Sequence, residues 1–296
     1  AAASGLRATA SFAIPEALTS ITIKHEGKNT ALSSLRVAGG STTELTATGW
    51  YYGNKVYSAD TSFTWSVSDA LGTIDEDGTF TAVQTGRDVT GTLTVTYGET
   101  SCTLPVTVGS SQPFDDTKGH WAESYITELY YAGTLQGSEK NGKLYYRPDA
   151  SMTRQEFIVA MMRYLGTDLS AYASVQLPFD DSGSIASWAK SAMQAAYQLG
   201  YLTGSKTNGK LLAKPGSTIS RQEAMTILSR TKDFADADLN VLSAFSDSGK
   251  IADWARTALA QMTQQKIISG SKGKLNPTGK VTRAEVAKML YMLSET

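Results

Sequence analysis

The sequence has few of the residues that build most catalytic and metal sites. Its 296 residues include one cysteine and two histidines. A single cysteine cannot form a disulfide within the chain, and His25 and His120 lie outside any metal-ligand spacing. No serine-centred elbow, phosphate-binding loop or Cys–His pairing is present. We therefore predict no enzyme activity within these residues, no metal site and no cofactor.

Long apolar runs and a strong charge excess are also missing. No apolar run reaches the roughly 18 residues that a membrane-spanning helix needs, so we expect no membrane insertion. The net charge is -1, which gives no reason to expect nucleic acid as a partner. Residues 1–110 carry -4 and the rest +3, which weakly favours an anionic ligand for the second part. The chain also lacks an initiator Met and a signal segment, as an excised fragment or processed product would.

Residues up to about 109 have the period of β-strands. Short alternating runs rich in Thr, Val, Trp and Tyr are separated by Gly, Asp or Asn turns. The runs are SITIK, TELTATGW, SFTWSVS, GTFTAV, GTLTVTY and CTLPVTV. Their spacing predicts an antiparallel sandwich with Trp65 as its core aromatic residue. Cys102 is interpreted as a small core residue, and TIDEDGTF (73–80) as a hairpin turn instead of a calcium loop.

Residues 35–109 resemble the bacterial Ig-like domains of group 2. The resemblance rests on TELTATG, FTWSV, GTIDEDGTFTA and the closing GTLTVTYGETSCTLPVTV. It implies an Ig-like sandwich of the kind that serves as a stalk, a spacer or sometimes an adhesive module on surface proteins. Residues 1–34 fall outside the resemblance, either as the tail of a preceding region or as first strands.

Beyond a short linker, residues 109–113, the chain contains three copies of one unit. Each copy has Phe-x-Asp, a Trp-led helix, a Gly-Ser turn, a loop ending in Pro, and a second helix. The three repeats occupy residues 113–166, 178–232 and 244–296. Their matching tryptophans are Trp121, Trp188 and Trp254, spaced 67 and 66 residues apart. The glycines expected at the left-handed position after each first helix are Gly137, Gly204 and Gly270.

The second helix of each repeat begins with a capping box. The predicted N-caps are Thr153, Ser220 and Thr282, and the glutamates three positions later are Glu156, Glu223 and Glu285. In such a box the hydroxyl and the carboxylate each satisfy a free backbone N–H at the start of the helix. Hydroxyl and glutamate therefore need only a structural explanation.

An arginine inside each box does not fit that explanation. Arg154, Arg221 and Arg283 place a cation at the positive end of a helix dipole. One interpretation is an ion pair within the repeat, to the Phe-x-Asp acids Asp116, Asp181 and Asp247. The other is that arginine and helix amides together bind a carboxylate or phosphate, in which case replacing all three arginines would abolish binding and leave the melting temperature nearly unchanged. The residues alone do not decide between these, nor whether the three tryptophans are core residues or flat surfaces for a sugar.

The three repeats resemble S-layer homology (SLH) motifs. The hallmark of that family is a Thr-Arg-Ala-Glu box after a Phe-x-Asp and Trp-Ala segment. VTRAEVAKML (281–290) matches it fully, and MTRQEFIVAMM (152–162) and ISRQEAMTIL (219–228) differ by Gln for Ala and by Ser for Thr in the second. The resemblance implies a mainly α, pseudo-threefold bundle with a groove between neighbouring motifs.

The resemblance also implies a function. Such modules are secreted to the cell surface and bind an anionic, typically pyruvylated, secondary cell wall polysaccharide, with the box arginine facing the pyruvate carboxylate. The implied contacts are Arg154, Arg221 and Arg283, then Asp116, Asp181, Asp247, Trp121, Trp188 and Trp254, and the turns Gly137-Ser138, Gly204-Ser205 and Gly270-Ser271. The protein would be a monomer with an internal pseudo-trimer. The alternatives are a structural module for S-layer self-assembly, or the mooring part of a secreted enzyme whose catalytic domain is absent here.

Overall fold

The computed structural model describes residues 18–52, 54–56 and 62–294. The chain divides into two compact units, Ala1–Ser111 and Gln112–Thr296. Within the described ranges no helix is long and apolar enough to cross a membrane. Expectations for residues 1–17 lie outside the described residues.

The first unit is built from strands, in agreement with the predicted fold class. They are β1 (Ser20–His25), β2 (Leu35–Ala38), β3 (Thr42–Tyr51), β4 (Asn54–Val56), β5 (Thr64–Val67), β6 (Gly72–Ile74), β7 (Thr79–Ala82), β8 (Val89–Tyr97) and β9 (Thr100–Gly109). One sheet has the order β1-β3-β7-β6 with β4 beside β3, and the other has the order β2-β9-β8-β5. All neighbours are antiparallel except β2 and β9. β1 pairs with β3 along its whole length, so residues 20–25 are a first strand of this sheet.

Both sheets enclose one apolar core. Its fully buried aromatic residue is Phe80, whereas Trp65 is only partly buried against the core, so the prediction for Trp65 holds in part. Cys102 is also partly buried, and burial raises the pKa of its thiol. Asp75 Oδ1 accepts hydrogen bonds from Asp77 N (3.1 Å) and Thr79 N (2.8 Å), which confirms the hairpin turn between β6 and β7. The group 2 Ig-like assignment stays a prediction.

The second unit is rich in helices, as predicted. Each repeat has two helices, joined by a short hairpin or, in the third repeat, by a single bridge from Ser271 to Lys274. The helices are α1 (Glu123–Tyr131), α2 (Arg154–Tyr164), α3 (Lys190–Gln198), α4 (Arg221–Ser229), α5 (Arg256–Gln264) and α6 (Arg283–Ser294). The hairpins are β10 (Ser138–Lys140) with β11 (Lys143–Tyr145) and β12 (Ser205–Thr207) with β13 (Lys210–Leu212). Single 3₁₀ turns cover Leu169–Tyr172, Ser182–Ser184, Ser187–Ala189, Leu239–Ala244, Ser248–Lys250 and Asp253–Ala255.

The three repeats close into a ring. The second helix of each repeat packs on the first helix of the next: α2 on α3, α4 on α5, and α6 back on α1. At the centre, Ile219 N donates to Met152 O (3.0 Å), Val281 N to Ile219 O (3.1 Å), and Met152 N to Val281 O (3.1 Å). All three residues are buried. This closed cycle of backbone hydrogen bonds is the pseudo-threefold arrangement expected from the three copies.

The first helix of each repeat ends earlier than predicted. It ends six residues before the predicted glycines, at Tyr131, Gln198 and Gln264, and the left-handed residues that follow its end are Gly133, Gly200 and Lys266. Gly137, Gly204 and Gly270 instead lie under the Phe-x-Asp rings: a Cβ on Gly204 would stand 2.6 Å from Phe179 Cε1. These glycines are therefore needed for close packing of a ring against the backbone. Gly204 and Gly270 do have the predicted left-handed φ, 72° and 66°, and Gly137 does not, but none of the three ends a helix.

Candidate functional site

The capping boxes form as predicted. Glu156 N donates to the Thr153 hydroxyl oxygen, and Thr153 N donates to Glu156 Oε2 at 2.7 Å. Ser220 with Glu223 and Thr282 with Glu285 repeat the same exchange. Each box therefore fixes the direction in which the arginine at the next position leaves the chain.

The box arginine extends into the next repeat, not toward its own Phe-x-Asp acid. Arg154 Nε donates to Ala213 O (2.9 Å), and its Nη1 donates to Glu223 Oε1 (2.9 Å). The Arg154 side chain is 10% exposed. Burial lowers the pKa of Arg154, and the carboxylates of Glu223 and Asp181 in the second repeat oppose that shift. The ion pair within the repeat is therefore a wrong interpretation.

The other two arginines continue the cycle. Arg221 Nη1 donates to Glu285 Oε1 in the third repeat. Arg283 Nε and Nη2 donate to Tyr146 O and Gln136 O in the first repeat, both at 2.8 Å, while its Nη1 stands 3.9 Å from Glu156 Oε1. Its guanidinium also lies over the Tyr146 ring, 4.5 Å from the centroid. Three matching contacts thus join the repeats into a ring.

The Phe-x-Asp acids hold the loop that the arginine reaches. Asp181 accepts hydrogen bonds from Ala213 N (2.8 Å) and Lys214 N (2.7 Å). Lys214, which donates the second of these, has a left-handed backbone with φ of 51°. Asp116 binds the amides of Tyr146 and Arg147 in the same way, and Asp247 those of Leu275 and Asn276. The geometry gives these acids a role in shaping the loop; whether they also contact a sugar stays a prediction.

The predicted residues therefore meet across repeat boundaries, in three inter-repeat sites. Site A combines Arg154 with Asp181, Trp188, Gly204-Ser205 and Glu223. Site B combines Arg221 with Asp247, Trp254, Gly270-Ser271 and Glu285. Site C combines Arg283 with Asp116, Trp121, Gly137-Ser138 and Glu156. In each site the arginine comes from one repeat and everything else from the following one.

The three repeat tryptophans lie at the protein surface. Trp121, Trp188 and Trp254 are 56%, 58% and 56% exposed, which excludes the alternative that they are core residues. In site A the turn that carries Trp188 is tied to the arginine helix, because Ala186 N donates to Gln155 Oε1 at 3.0 Å. Gln222 makes the same contact with Ala252 N in site B. In sites A and B an exposed indole therefore lies on a turn that is tied to the helix of a largely buried arginine.

The sites are not identical. In site C, Ala284 stands at the position of the bridging glutamine and cannot make this contact. The matching amide, Gly119 N, donates to Glu123 Oε2 of its own repeat instead. Ser138 Oγ in site C accepts from Arg147 Nη2 at 3.0 Å. In site B, Arg221 Nε is buried and has no hydrogen-bond partner among the described atoms. The Gln-for-Ala departures at 155 and 222 were visible in the sequence, but the second role of the box glutamates as arginine partners was not.

Comparison with known proteins agrees with the repeat structure. The family model described as "S-layer homology domain" matches residues 113–158, 178–225 and 244–287. An amylopullulanase of Thermoanaerobacterium thermosulfurigenes is 28% identical over 207 residues, 68% of this chain and 10% of that protein. An exoglucanase of Acetivibrio thermocellus is 28% identical over 242 residues, 79% of this chain and 21% of its own. A surface-layer 125 kDa protein of Lysinibacillus sphaericus is 32% identical over 192 residues, 61% of this chain and 15% of its own.

The chain spans between about a tenth and a fifth of the length of these relatives. S-layer homology domains bind cell wall polysaccharide and anchor proteins at the cell surface. Three successive matches, one for each repeat of the ring, place the second unit among them. Residues 113–287 of this chain are three S-layer homology domains, and they form a cell-wall anchoring module.

Proposed function

We propose that the second unit holds a surface protein to the cell wall by binding an anionic, pyruvylated secondary wall polysaccharide at sites A, B and C. The observation that carries the proposal is the arrangement around Arg154. Its guanidinium is largely buried and fixed by Ala213 O and Glu223, and the turn that carries the exposed Trp188 is tied to the arginine helix through Gln155. A pyruvate ketal presents a carboxylate beside apolar C–H groups. The arginine cation can bind the carboxylate, and the indole face can pack against the C–H groups.

Each arginine retains donors for a ligand. A guanidinium has five N–H groups, and the hydrogen bonds of Arg154 use two of them. The paired glutamate holds the planar group in one orientation, which reduces the entropy lost when an acidic sugar binds. Three such sites on one polymer would act together and bind more tightly than one.

The test is co-sedimentation of the purified chain with wall sacculi, before and after chemical removal of the pyruvyl groups. We expect the chain to pellet with intact walls and to stay in solution with depyruvylated walls. Walls carried through the same incubation and washes without the depyruvylating reagent provide the matched control. Retention that survives depyruvylation overturns the ketal as the recognised group.

Structural self-assembly is the second candidate, since one relative is a surface-layer protein. Self-assembly requires contacts between chains and no wall polymer. Sedimentation of the chain alone at the concentration used for co-sedimentation separates the two functions: pelleting without walls supports self-assembly.

The relatives that are named as enzymes suggest a cargo. The amylopullulanase and the exoglucanase match this chain over 10% and 21% of their lengths, so most of each protein lies outside the match. We propose that this module likewise moors a larger protein. A fusion of residues 112–296 to a fluorescent protein should be retained on walls; a fusion that washes off would contradict mooring by this unit alone.

A further inference from the structure

Site A contains a second arginine, Arg230. Site B has no arginine at the matching position, and the matching arginine of site C does not make the same contacts. Arg230 lies directly after α4, and its Nη1 donates to Tyr201 O at 2.8 Å and is 3.4 Å from Thr203 Oγ1. Thr203 precedes the Gly204-Ser205 turn. The Arg230 guanidinium is therefore held at one flank of that turn.

Arg154 is held at the other flank of the same turn. Ser205 pairs with Leu212 at the base of the hairpin, and the next residue, Ala213, receives the Arg154 Nε hydrogen bond. Burial lowers the pKa of Arg230, and the positive charge of Arg154 lowers it further, so the two cations are close enough to repel. An anion bound over the turn would relieve this repulsion.

The matching positions differ in the other two sites. Arg230 stands nine residues after Arg221, and the residues nine after Arg154 and Arg283 are Arg163 and Met292. Met292 belongs to site B, which therefore lacks a second cation at this position. Arg163 belongs to site C and is exposed, but within the described residues its side chain makes no hydrogen bond to the Gly137-Ser138 turn. Arg283 Nη2 instead donates to Gln136 O of that turn at 2.8 Å.

From this geometry we infer that Arg230 is a second anion-binding residue, which makes site A the strongest of the three sites for an acidic sugar and site B the weakest. The inference rests on the proposed function, since it concerns the same ligand. It adds that two guanidinium groups, one from each of two repeats, clasp one acidic group over the Gly204-Ser205 turn. A neutral sugar would gain nothing from Arg230.

The test uses tryptophan indole N–H signals in two-dimensional NMR spectra of the full chain. The chain has five tryptophans, of which Trp121, Trp188 and Trp254 report sites C, A and B, and Trp50 and Trp65 in the first unit serve as internal references. The probes are the methyl glycoside of a pyruvylated amino sugar and the same glycoside without pyruvate. In the wild type, we expect the Trp188 signal to respond at lower concentrations of the pyruvylated probe than the Trp254 signal.

The variant is Arg230→Met, which copies the residue of the third repeat, with Arg163→Met as the matched control on α2. Arg230→Met should raise the midpoint of the Trp188 response to the pyruvylated probe about tenfold, the size of one charge-assisted hydrogen bond. Its response to the neutral probe should equal that of the wild type. Arg163→Met should leave the Trp188 midpoint unchanged.

Two results would overturn the inference: an unchanged Trp188 midpoint in Arg230→Met, or an equal loss for both probes, which would reduce Arg230 to a support for the turn. A wild type in which none of the three repeat indoles responds to the pyruvylated probe would instead overturn the proposed function. The two failures are therefore distinguishable.

Discussion

Arg154 Nη1 and Glu223 Oε1 form a 2.9 Å ion pair that joins the first repeat to the second. The other oxygen of the same carboxylate, Oε2, accepts from Ser220 N (2.8 Å) and Ser220 Oγ (2.7 Å) in its own capping box. One glutamate therefore caps a helix with one oxygen and binds a neighbouring repeat with the other. Within each box, arginine connects to the following repeat and glutamate to the preceding one, so the three boxes close a ring.

The first prediction concerns the stability that this ion pair supplies. Arg154→Ala removes the hydrogen bonds to Ala213 O and Glu223 and should lower the free energy of unfolding by about 2–3 kcal/mol. Urea denaturation measures the change. The matched control is Arg163→Ala on the same helix, an exposed site where we expect a change within about 0.5 kcal/mol. Equal stability of the two variants would show that the ring of ion pairs does not hold the repeats together.

This prediction replaces the expectation that the box arginines can be removed without cost to folding. That expectation treated the arginine as a ligand contact only, and the alternative interpretation paired it with its own Phe-x-Asp acid. The sequence did predict the capping box, because its spacing is local and sets its own geometry. It did not predict the arginine's partner, because that partner depends on how three repeats close, and Asp116 is already held by the amides of Tyr146 and Arg147.

The repeated glycines also show that local sequence patterns do not predict contacts between distant residues. Glycine near a helix end has a propensity for the left-handed position, and on that basis Gly137 and Gly204 were assigned to it. α1 and α3 end at Tyr131 and Gln198, and the left-handed residues that follow them are Gly133 and Gly200; Gly204 is left-handed too, but it lies beyond the helix. Position 204 requires glycine because the ring of Phe179, 25 residues earlier in the chain, packs against its backbone. Local propensity cannot predict that contact.

The second prediction separates backbone strain from ring packing. Gly204 and Gly209 have similar positive φ values, 72° and 76°, but a Cβ on Gly209 would meet nothing within 4 Å, whereas one on Gly204 would stand 2.6 Å from Phe179 Cε1. Gly209→Ala should cost about 1–2 kcal/mol, the cost of a left-handed side-chain-bearing residue. Gly204→Ala should cost at least about 2 kcal/mol more because Phe179 must move.

Thermal or urea unfolding of both variants measures that difference. In a double-mutant cycle, Phe179→Leu should cost less in the Gly204→Ala background than in the wild type, since the smaller side chain leaves room for the new methyl group. If the costs of the two changes are additive, the Phe179 ring is not the reason why position 204 requires glycine.

The third prediction concerns the pH dependence of stability at Asp247. Burial alone would raise the pKa of Asp247, but hydrogen bonds from Leu275 N (2.9 Å) and Asn276 N (2.8 Å) outweigh it, and the net pKa lies below the usual 3.8. A carboxyl group whose pKa is lowered on folding stabilises the protein above its unfolded pKa, and this contribution is lost as the pH falls through the folded pKa.

Asp247→Asn should therefore lower the free energy of unfolding by about 1–2 kcal/mol at pH 7, and the difference from the wild type should shrink between pH 5 and pH 3. Urea denaturation across that range is the measurement. The control is Asp233→Asn at an exposed position, which should change the free energy of unfolding at pH 7 by no more than about 0.5 kcal/mol. A deficit in Asp247→Asn that stays constant to pH 3 would assign the loss to altered packing instead of charge.

The last prediction tests the exposed indoles as sugar contacts. Trp188 is 58% exposed, so Trp188→Ala should lower the free energy of unfolding by less than about 1 kcal/mol. Binding to purified wall polysaccharide should weaken several-fold in calorimetric titrations, because the indole face no longer covers apolar C–H groups of the sugar. Trp188→Phe keeps a flat aromatic surface and should retain most of the affinity. If Trp188→Ala binds the polymer as the wild type does, the indole is no contact, and recognition at site A depends on its arginines alone.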